Sequence, residues 1–414
     1  MHSYDEYQQY LDHQKVKTLD PQRRKKWLNQ EWDLKVGGFK GIFSSLEDIL
    51  QPGQSALCIG ARTGQEVVAL RELDIDAVGI DIVPHEDLVL EGDMHNLQFD
   101  DSSFDFVFSN VFDHSLYPEK MISEMERVLK TNGHCMIQFQ INIPSDEYSE
   151  NEIESIDHDV LSLFEQSKMI CNREIQRNFA GMNWEIIMRK DELLSSLFDK
   201  VGKISDLSVP LEYKQIWDDI NLPIQTQKGR NHNLKKEQLD ECLEGLHKRA
   251  YYLVSIADFI GAKNILEVGT AQGWQHFSFA KYVSENGGHV WSCDIIDKRN
   301  EEYAKKYQEQ TTFCLGTSKN LASQINLKEH APQGIDLFYI DGSHEAKAVL
   351  TDISNLRHLQ SENCAWIFDD FDLRFGCFRE IQMLRKINSR YKIYRVGDAA
   401  SGNPNHQVVV FGKL

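Results

Sequence analysis

The chain has 414 residues, 41% hydrophobic and 26% charged, with 45 Lys and Arg against 64 Asp and Glu. That length exceeds what one core supports and suits two domains of about 150–200 residues each. The formal charge of −19 argues against a nucleic-acid backbone as substrate, because affinity for phosphates comes from clustered Lys and Arg.

The one basic run, Arg23-Arg24-Lys25-Lys26, reads as a solvated helix face. The start, Met1-His2-Ser3-Tyr4-Asp5-Glu6, has neither a basic n-region nor an apolar h-region. No apolar stretch reaches the roughly 18 residues of a membrane span. The 8 cysteines include no C-x-x-C pair. Cys58, Cys135, Cys293 and Cys364 sit in apolar runs and read as small buried hydrophobes in a reducing compartment. A cytoplasmic protein is the expectation.

In chain order, residues 1–50 read as amphipathic helix, with Leu28, Trp32, Phe39, Phe43 and Leu46 available for packing. A strand over 55–60 is followed by a helix over 64–73, a strand over 77–81 and a short strand-turn at 89–93. Then come a strand over 104–109, a helix over 118–129 and a strand over 134–140. Residues 141–220 are expected to form a cap of helix plus the last strands of a first domain ending at 220. Residues 221–234, polar and containing Pro223 and Gly229, are expected to be a linker. The second domain, 235–414, opens with a helix over 235–260. Its expected strands are 264–268, 289–293, 311–315, 335–340, 364–368, 391–396 and 407–411. Short apolar strands alternating with helices predict an α/β fold, two tandem Rossmann-like domains each with a mostly parallel sheet covered on both faces.

The repeat is a whole domain. Ala56-Leu57-Cys58-Ile59-Gly60-Ala61-Arg62-Thr63-Gly64 leads to Val78-Gly79-Ile80-Asp81, and Asn264-Ile265-Leu266-Glu267-Val268-Gly269-Thr270-Ala271-Gln272-Gly273 leads to Val290-Trp291-Ser292-Cys293-Asp294. A strand, a glycine turn, a helix and an acid about 20 residues on are what an adenosine-containing cofactor needs. The glycine spacing is G-x-x-x-G, so no pyrophosphate cradle is written. Gly60, Arg62, Gly64, Asp81 and Asp93 form the first expected cofactor set. Glu267, Gly269, Gly273, Asp294 and Thr317 form the second. Cys58 stands where the second copy has Glu267.

Leu337-Phe338-Tyr339-Ile340-Asp341-Gly342-Ser343-His344 and Trp366-Ile367-Phe368-Asp369-Asp370-Phe371-Asp372 each end an apolar strand in carboxylates. Both project at the carboxyl edge of the sheet, where open α/β folds bind ligands. Asp341, Asp369 and Asp370 make a hard-oxygen set suited to Mg²⁺ or Mn²⁺, and Asp372 is a spare candidate. His344 is placed to take a proton from a substrate hydroxyl. In the first copy His114 or Asp113 is the base candidate. Gln138-Phe139-Gln140-Ile141-Asn142 holds no acidic pair, so no metal site is expected there.

These motifs resemble class I S-adenosylmethionine (SAM) methyltransferases in tandem. The 240–412 region is similar to macrocin-type sugar O-methyltransferases and, more distantly, to metal-dependent catechol-type enzymes. The resemblance implies a metal on Asp341, Asp369 and Asp370, and His344 as base. Gly60-Ala61-Arg62-Thr63-Gly64 is similar to small bacterial methyltransferases with G-A-R-x-G at this turn. The resemblance thus implies a bifunctional SAM-dependent methyltransferase with a sugar, nucleotide-sugar or other polyhydroxylated acceptor, neither nucleic acid nor membrane as partner, and self-association through the caps. Two alternatives are a single active second domain beside a SAM-binding or oligomerising first domain, and a nicotinamide-dependent sugar oxidoreductase. Against the latter stand the missing G-x-G-x-x-G and Tyr-x-x-x-Lys.

Overall fold

A computed structural model describes residues 4, 6–142, 147–228, 236–372, 374–384, 390–396 and 405–414. The chain divides into two compact units, Met1–Ser196 and Leu197–Leu414.

The first unit opens with helices α1 (Tyr7–Leu19), α2 (Pro21–Asn29) and α3 (Trp32–Ser44). Asp20 starts α2 by accepting the Arg23 N–H at 2.7 Å, with Pro21 at the first helical position, where its missing N–H costs nothing. Strand β1 (Ser55–Ile59), α4 (Gln65–Arg71), β2 (Asp76–Asp81), β3 (Val89–Glu91), β4 (Phe104–Ser109), α5 (Pro118–Val128), β5 (Leu129–Phe139), β6 (Ser167–Glu174) and β7 (Trp184–Lys190) follow, then α6 (Glu192–Val201), which crosses the division. The sheet order is β3-β2-β1-β4-β5-β7-β6. All pairs are parallel except the two made by β7. Ala56, Leu57, Cys58 and Ile59 are all buried, as a strand covered on both faces requires. The edge strand β6 was not anticipated: its Ser-Lys-Met-Ile-Cys-Asn-Arg-Glu text is mostly half-buried or exposed, so it lacks the apolar signature of its neighbours.

The second unit repeats the plan. Helices α7 (Leu211–Lys228) and α8 (Lys236–Phe259) precede β8 (Asn264–Val268), α9 (Trp274–Asn286), β9 (His289–Asp294), α10 (Glu301–Lys306), β10 (Thr311–Leu315), α11 (Ser318–Gln324) and α12 (Leu327–His330). Then come β11 (Ile335–Ile340), α13 (Ala346–Leu356), β12 (Gln360–Phe368), α14 (Phe378–Met383), β13 (Tyr391–Val396) and β14 (Asn405–Phe411). The order β10-β9-β8-β11-β12-β14-β13 matches the first sheet strand for strand, again with the penultimate position antiparallel.

The division falls earlier in the chain than residue 220. Ile216, Trp217 and Ile220 on α7 are buried with Ala250, Phe277, Tyr303 and Tyr307 of the second unit, and Trp217 Nε1 donates to Ser278 Oγ at 3.2 Å. Burial of that apolar face ties residues 211–220 to the second sheet. Within the expected linker, 221–228 continue α7, and 229–235 lie outside the described residues. Cys58, Cys135, Cys293, Cys314, Cys364 and Cys377 are free and buried, and Cys171 is free and half-buried. Among the described residues no helix is long and apolar enough to cross a membrane.

Candidate active sites

Each sheet carries a glycine turn after its first strand. At Gly60 (φ +76°) and Gly269 (φ +92°) the backbone is left-handed, a region only glycine enters cheaply. A Cβ on Gly60 would lie 2.3 Å from the Val111 side chain, and one on Gly269 would lie 2.0 Å from the Asp341 carbonyl oxygen. The second turn therefore rests directly on the loop carrying the acidic motif.

Within each turn a non-glycine residue also adopts positive φ: Arg62 (+49°) and Ala271 (+47°). Both are held by the acid of the second strand. Asp81 Oδ2 accepts the Arg62 N–H at 3.0 Å, and Asp294 Oδ2 accepts the Ala271 N–H at 2.9 Å. The other oxygens accept from Val83 and Ile296 N–H at 3.1 and 3.2 Å. Each carboxylate keeps lone pairs for further donors, so both acids fix the turn and can still accept ribose hydroxyls.

In the first unit a cleft is lined by Gly60, Arg62, Asp81, Asp93, Met94, Val111 and His114, with Tyr10, Gln14 and Lys17 of α1 as its roof. The roof is tied by polar bonds. Tyr7 Oη donates to Asp93 Oδ2 at 2.8 Å, Tyr10 Oη donates to the His114 carbonyl at 2.9 Å, and Gln14 Nε2 donates to the Tyr148 carbonyl at 2.8 Å. Burial pushes the Asp93 carboxyl up, but hydrogen bonds from His95 and Tyr7 outweigh it and hold it below its ordinary range.

His114 sits with its Nδ1 2.8 Å from the Tyr148 carbonyl. That contact fixes the proton on Nδ1 and leaves Nε2 to accept from Lys17 Nζ at 3.1 Å. Burial, then Lys17 and Arg62, lower the imidazole pKa against the opposing pull of Asp113. The Asp113 carboxylate lies 3.9 Å from Nε2. The lone pair a base would use is thus engaged by Lys17. Glu66, which the sequence reading passed over, is 5% exposed. Burial raises its pKa to about 7, and burial first, then the Glu66 charge, raise that of the Cys58 thiol. α4 thus carries a buried acid whose field reaches Cys58.

In the second unit Glu267 is buried and faces His276, also buried, with Oε2 and Nδ1 3.3 Å apart. Burial raises the Glu267 carboxyl pKa. Thr317 caps α11 in a reciprocal box with Asn320.

The acidic motifs meet because of sheet register. Ile340 pairs with Phe368, and Phe368 with Val408, so the next residues, Asp341, Asp369 and Gln407, form one row across three strands. Carboxylate oxygens of Asp341, Asp369 and Asp370 lie within 4.8 Å of one another. Tyr339 Oη lies 2.9 Å from Asp341 Oδ2 and 3.2 Å from Asp369 Oδ2, donating to one at a time. Gln407 Nε2 donates to Asp369 Oδ1 at 2.8 Å. Arg249, from α8, ion-pairs with Asp369 Oδ2 and lies 3.1 Å from Tyr339 Oη. His344 Nδ1 pairs with Asp370, and its ring packs against Phe375. Asp372 pairs instead with Arg374.

Arg249, Tyr339 and Gln407 were absent from the sequence-based site. Tyr339 and Gln407 could have been found by continuing the strand register, whereas nothing local marks Arg249, about ninety residues upstream of Asp341.

Two family models match the chain, each described as a methyltransferase domain, over residues 57–137 and 266–371. No curated protein matches. Among solved structures, the chain is similar to a Burkholderia thailandensis 1,6-didemethyltoxoflavin N1-methyltransferase (15% identity, 46% of this chain and 92% of that one, TM-score 0.36). It is also similar to a Bacillus cereus O-methyltransferase (16%, 48% and 100%, TM-score 0.34) and to TomG from Streptomyces achromogenes (11%, 49% and 99%, TM-score 0.34). Likenesses at these identities and scores carry no information about the acceptor. The matched regions lie one on each of the two repeated, mostly parallel sheets, an arrangement consistent with two tandem Rossmann-like methyltransferase domains.

Proposed function

We propose that both domains bind SAM, and that the second transfers methyl to a hydroxyl of a sugar or other polyhydroxylated small molecule with help from Mg²⁺ or Mn²⁺. The first would act at a different acceptor position. The observation that carries this reading is the convergence of Asp341, Asp369 and Asp370, with His344 on Asp370, against the Gly269 turn. Three hard oxygens suit a divalent cation, and the turn with Asp294 suits an adenosine.

A bound divalent cation would hold acceptor oxygens and lower a hydroxyl pKa, and SAM would supply an electrophilic methyl group. The chain's own residues do the rest. The Nδ1–H donated to Asp370 orients His344 and leaves Nε2 to take the hydroxyl proton. Asp294 and the Gly269 turn would hold the cofactor, and in-line displacement needs little beyond alignment.

The test is titration calorimetry of SAM into the intact chain, with and without Mg²⁺. Two sites per chain support two working domains. One site, lost in Asp294→Ala, would reduce the first domain to a scaffold, and no binding would overturn the reading.

A further inference from the structure

The second domain holds a cavity of about 600 Å³ far from its acidic motifs, a size within the roughly 300–1,000 Å³ of small-molecule sites. Its walls come from the end of α6, the start of α7 and the last turns of α8 and α9. Those last turns lead into the amino ends of β8 and β9, whereas Asp341, Asp369 and Asp370 follow the carboxyl ends of β11 and β12. Along α8, Asp258 of the cavity lies nine residues beyond Arg249 at the acidic cluster, about 14 Å at the helical rise. The cavity is thus separate from the edge proposed for methyl transfer.

Tyr213 and Tyr251 face each other across its wall, with ring centroids 5.1 Å apart. Among the described residues neither hydroxyl has a hydrogen-bond partner, although Tyr213 is only 8% exposed. A hydroxyl left unpaired at such burial costs free energy that a ligand can recover. Burial first, then Glu285 for Tyr213 and Asp258 for Tyr251, raise the phenol pKa, so each hydroxyl keeps a proton to donate.

The lining charges cancel in pairs. Lys200 meets Asp258 at 2.7 Å and Lys281 meets Glu285 at 2.5 Å. Among the described residues Glu212 is the one lining charge without an ion pair. With both lysines paired, little is left to hold an anion. The Tyr213 ring that would attract an organic cation already carries Lys281 Nζ, 5.3 Å from its centroid, in cation–π contact. What remains is two hydroxyl donors, carboxylates with spare lone pairs and aromatic faces, a set that suits an uncharged, hydroxyl-rich ring compound.

We propose that this cavity is a second ligand site of the domain, and that it takes a neutral oligosaccharide. Sugar rings lay their C–H faces on Tyr213 and Tyr251, accept from the two hydroxyls and donate to Asp258 and Glu285. The site is independent of the acceptor at the acidic edge and stands even if that acceptor is not a sugar.

The experiment is saturation-transfer NMR of the full chain with maltose, cellobiose, sucrose and lactose at millimolar concentration, with tetramethylammonium and inorganic phosphate as charged controls. Calorimetry then follows the sugar that binds in wild type, Tyr213→Phe, Tyr251→Phe and the double variant. These substitutions delete only hydroxyls that bond nothing in the protein, and circular dichroism checks the fold. Each single variant should weaken binding by about three- to tenfold, and the double variant by about the product of the two. SAM titration into either single variant should match wild type. None of the four sugars binding to wild type overturns the proposal, as does an affinity unchanged in both folded single variants. Sugar binding that survives those variants but vanishes in Asp341→Asn belongs to the acidic edge and overturns it equally. Tighter binding of tetramethylammonium or phosphate than of any sugar, weakened by the same variants, overturns the ligand class.

Discussion

The two domains share a sheet to the register, and they differ in what fills the same positions. Where the second row runs Asp341, Asp369, Gln407, continuing the pairing of Ser109 with Ile137 and of Ile137 with Ile186 gives Asn110, Gln138, Glu185 in the first. Beneath the row, Glu267 pairs with Tyr339, and Cys58 with Phe108. The helix before the first strand carries Arg249 in one domain. In the other, Phe39 and Phe43 pack edge-on to Phe108, with ring centroids 5.7 and 5.1 Å away. Both rows are polar and each carries its countercharge, Arg249 on Asp369 in the second and Arg173 on Glu185 in the first, because a buried carboxylate persists only when paired. The two differ in that the second gathers three carboxylates and the first a single one. The roofs differ as well. α1 covers the first cleft, while Ile295, Ile296 and Leu315 at the corresponding edge of the second are exposed.

The largest break in the comparison should come from His344→Ala. Loss of a general base is expected to cut the methyl-transfer rate by about 10²–10⁴ while leaving SAM affinity unchanged. A rate within a few-fold of wild type would remove His344 from the mechanism.

Next are the turns. Gly269→Ala forces a methyl against the Asp341 backbone, whereas Gly60→Ala meets a Val111 side chain that can shift. Urea denaturation should show a loss of about 2–4 kcal/mol for the former and less for the latter. Equal losses would mean that the second turn is not pinned by the acidic loop.

A subtler effect concerns Glu66, the buried acid on α4 of the first domain. Its carboxyl titrates near 7 in the folded chain, above the ordinary value of about 4.3. The folded state therefore binds more protons than the unfolded state between those values, and stability falls as pH rises through that window. Glu66→Gln should match wild type near pH 4 and be more stable by about 1–3 kcal/mol at pH 8. A constant difference across that range would show that Glu66 does not titrate as a buried acid.

The smallest effect should be Lys17→Met. Removing one of the cations that depress His114 should raise the imidazole pKa, followed by NMR titration, with little change in global stability. No shift would mean that α1 does not cover the first site in solution.

Much of this was legible in the sequence. Apolar runs, glycine turns and strand-terminal acids gave two tandem α/β domains, and the strands at 264–268, 311–315, 335–340 and 391–396 appear with those bounds. Such signals are local: burial on both faces writes itself into consecutive residues, and positive φ selects glycine in place.

The tertiary structure alone decided the rest. Trp217 draws residues 211–220 to the second sheet, α1 roofs the first cleft, the field of buried Glu66 reaches Cys58, and Arg249 takes hold of Asp369. Each of these joins residues distant in the chain through the packing of a helix on a sheet. No short-range spacing encodes which helix face will meet which strand end.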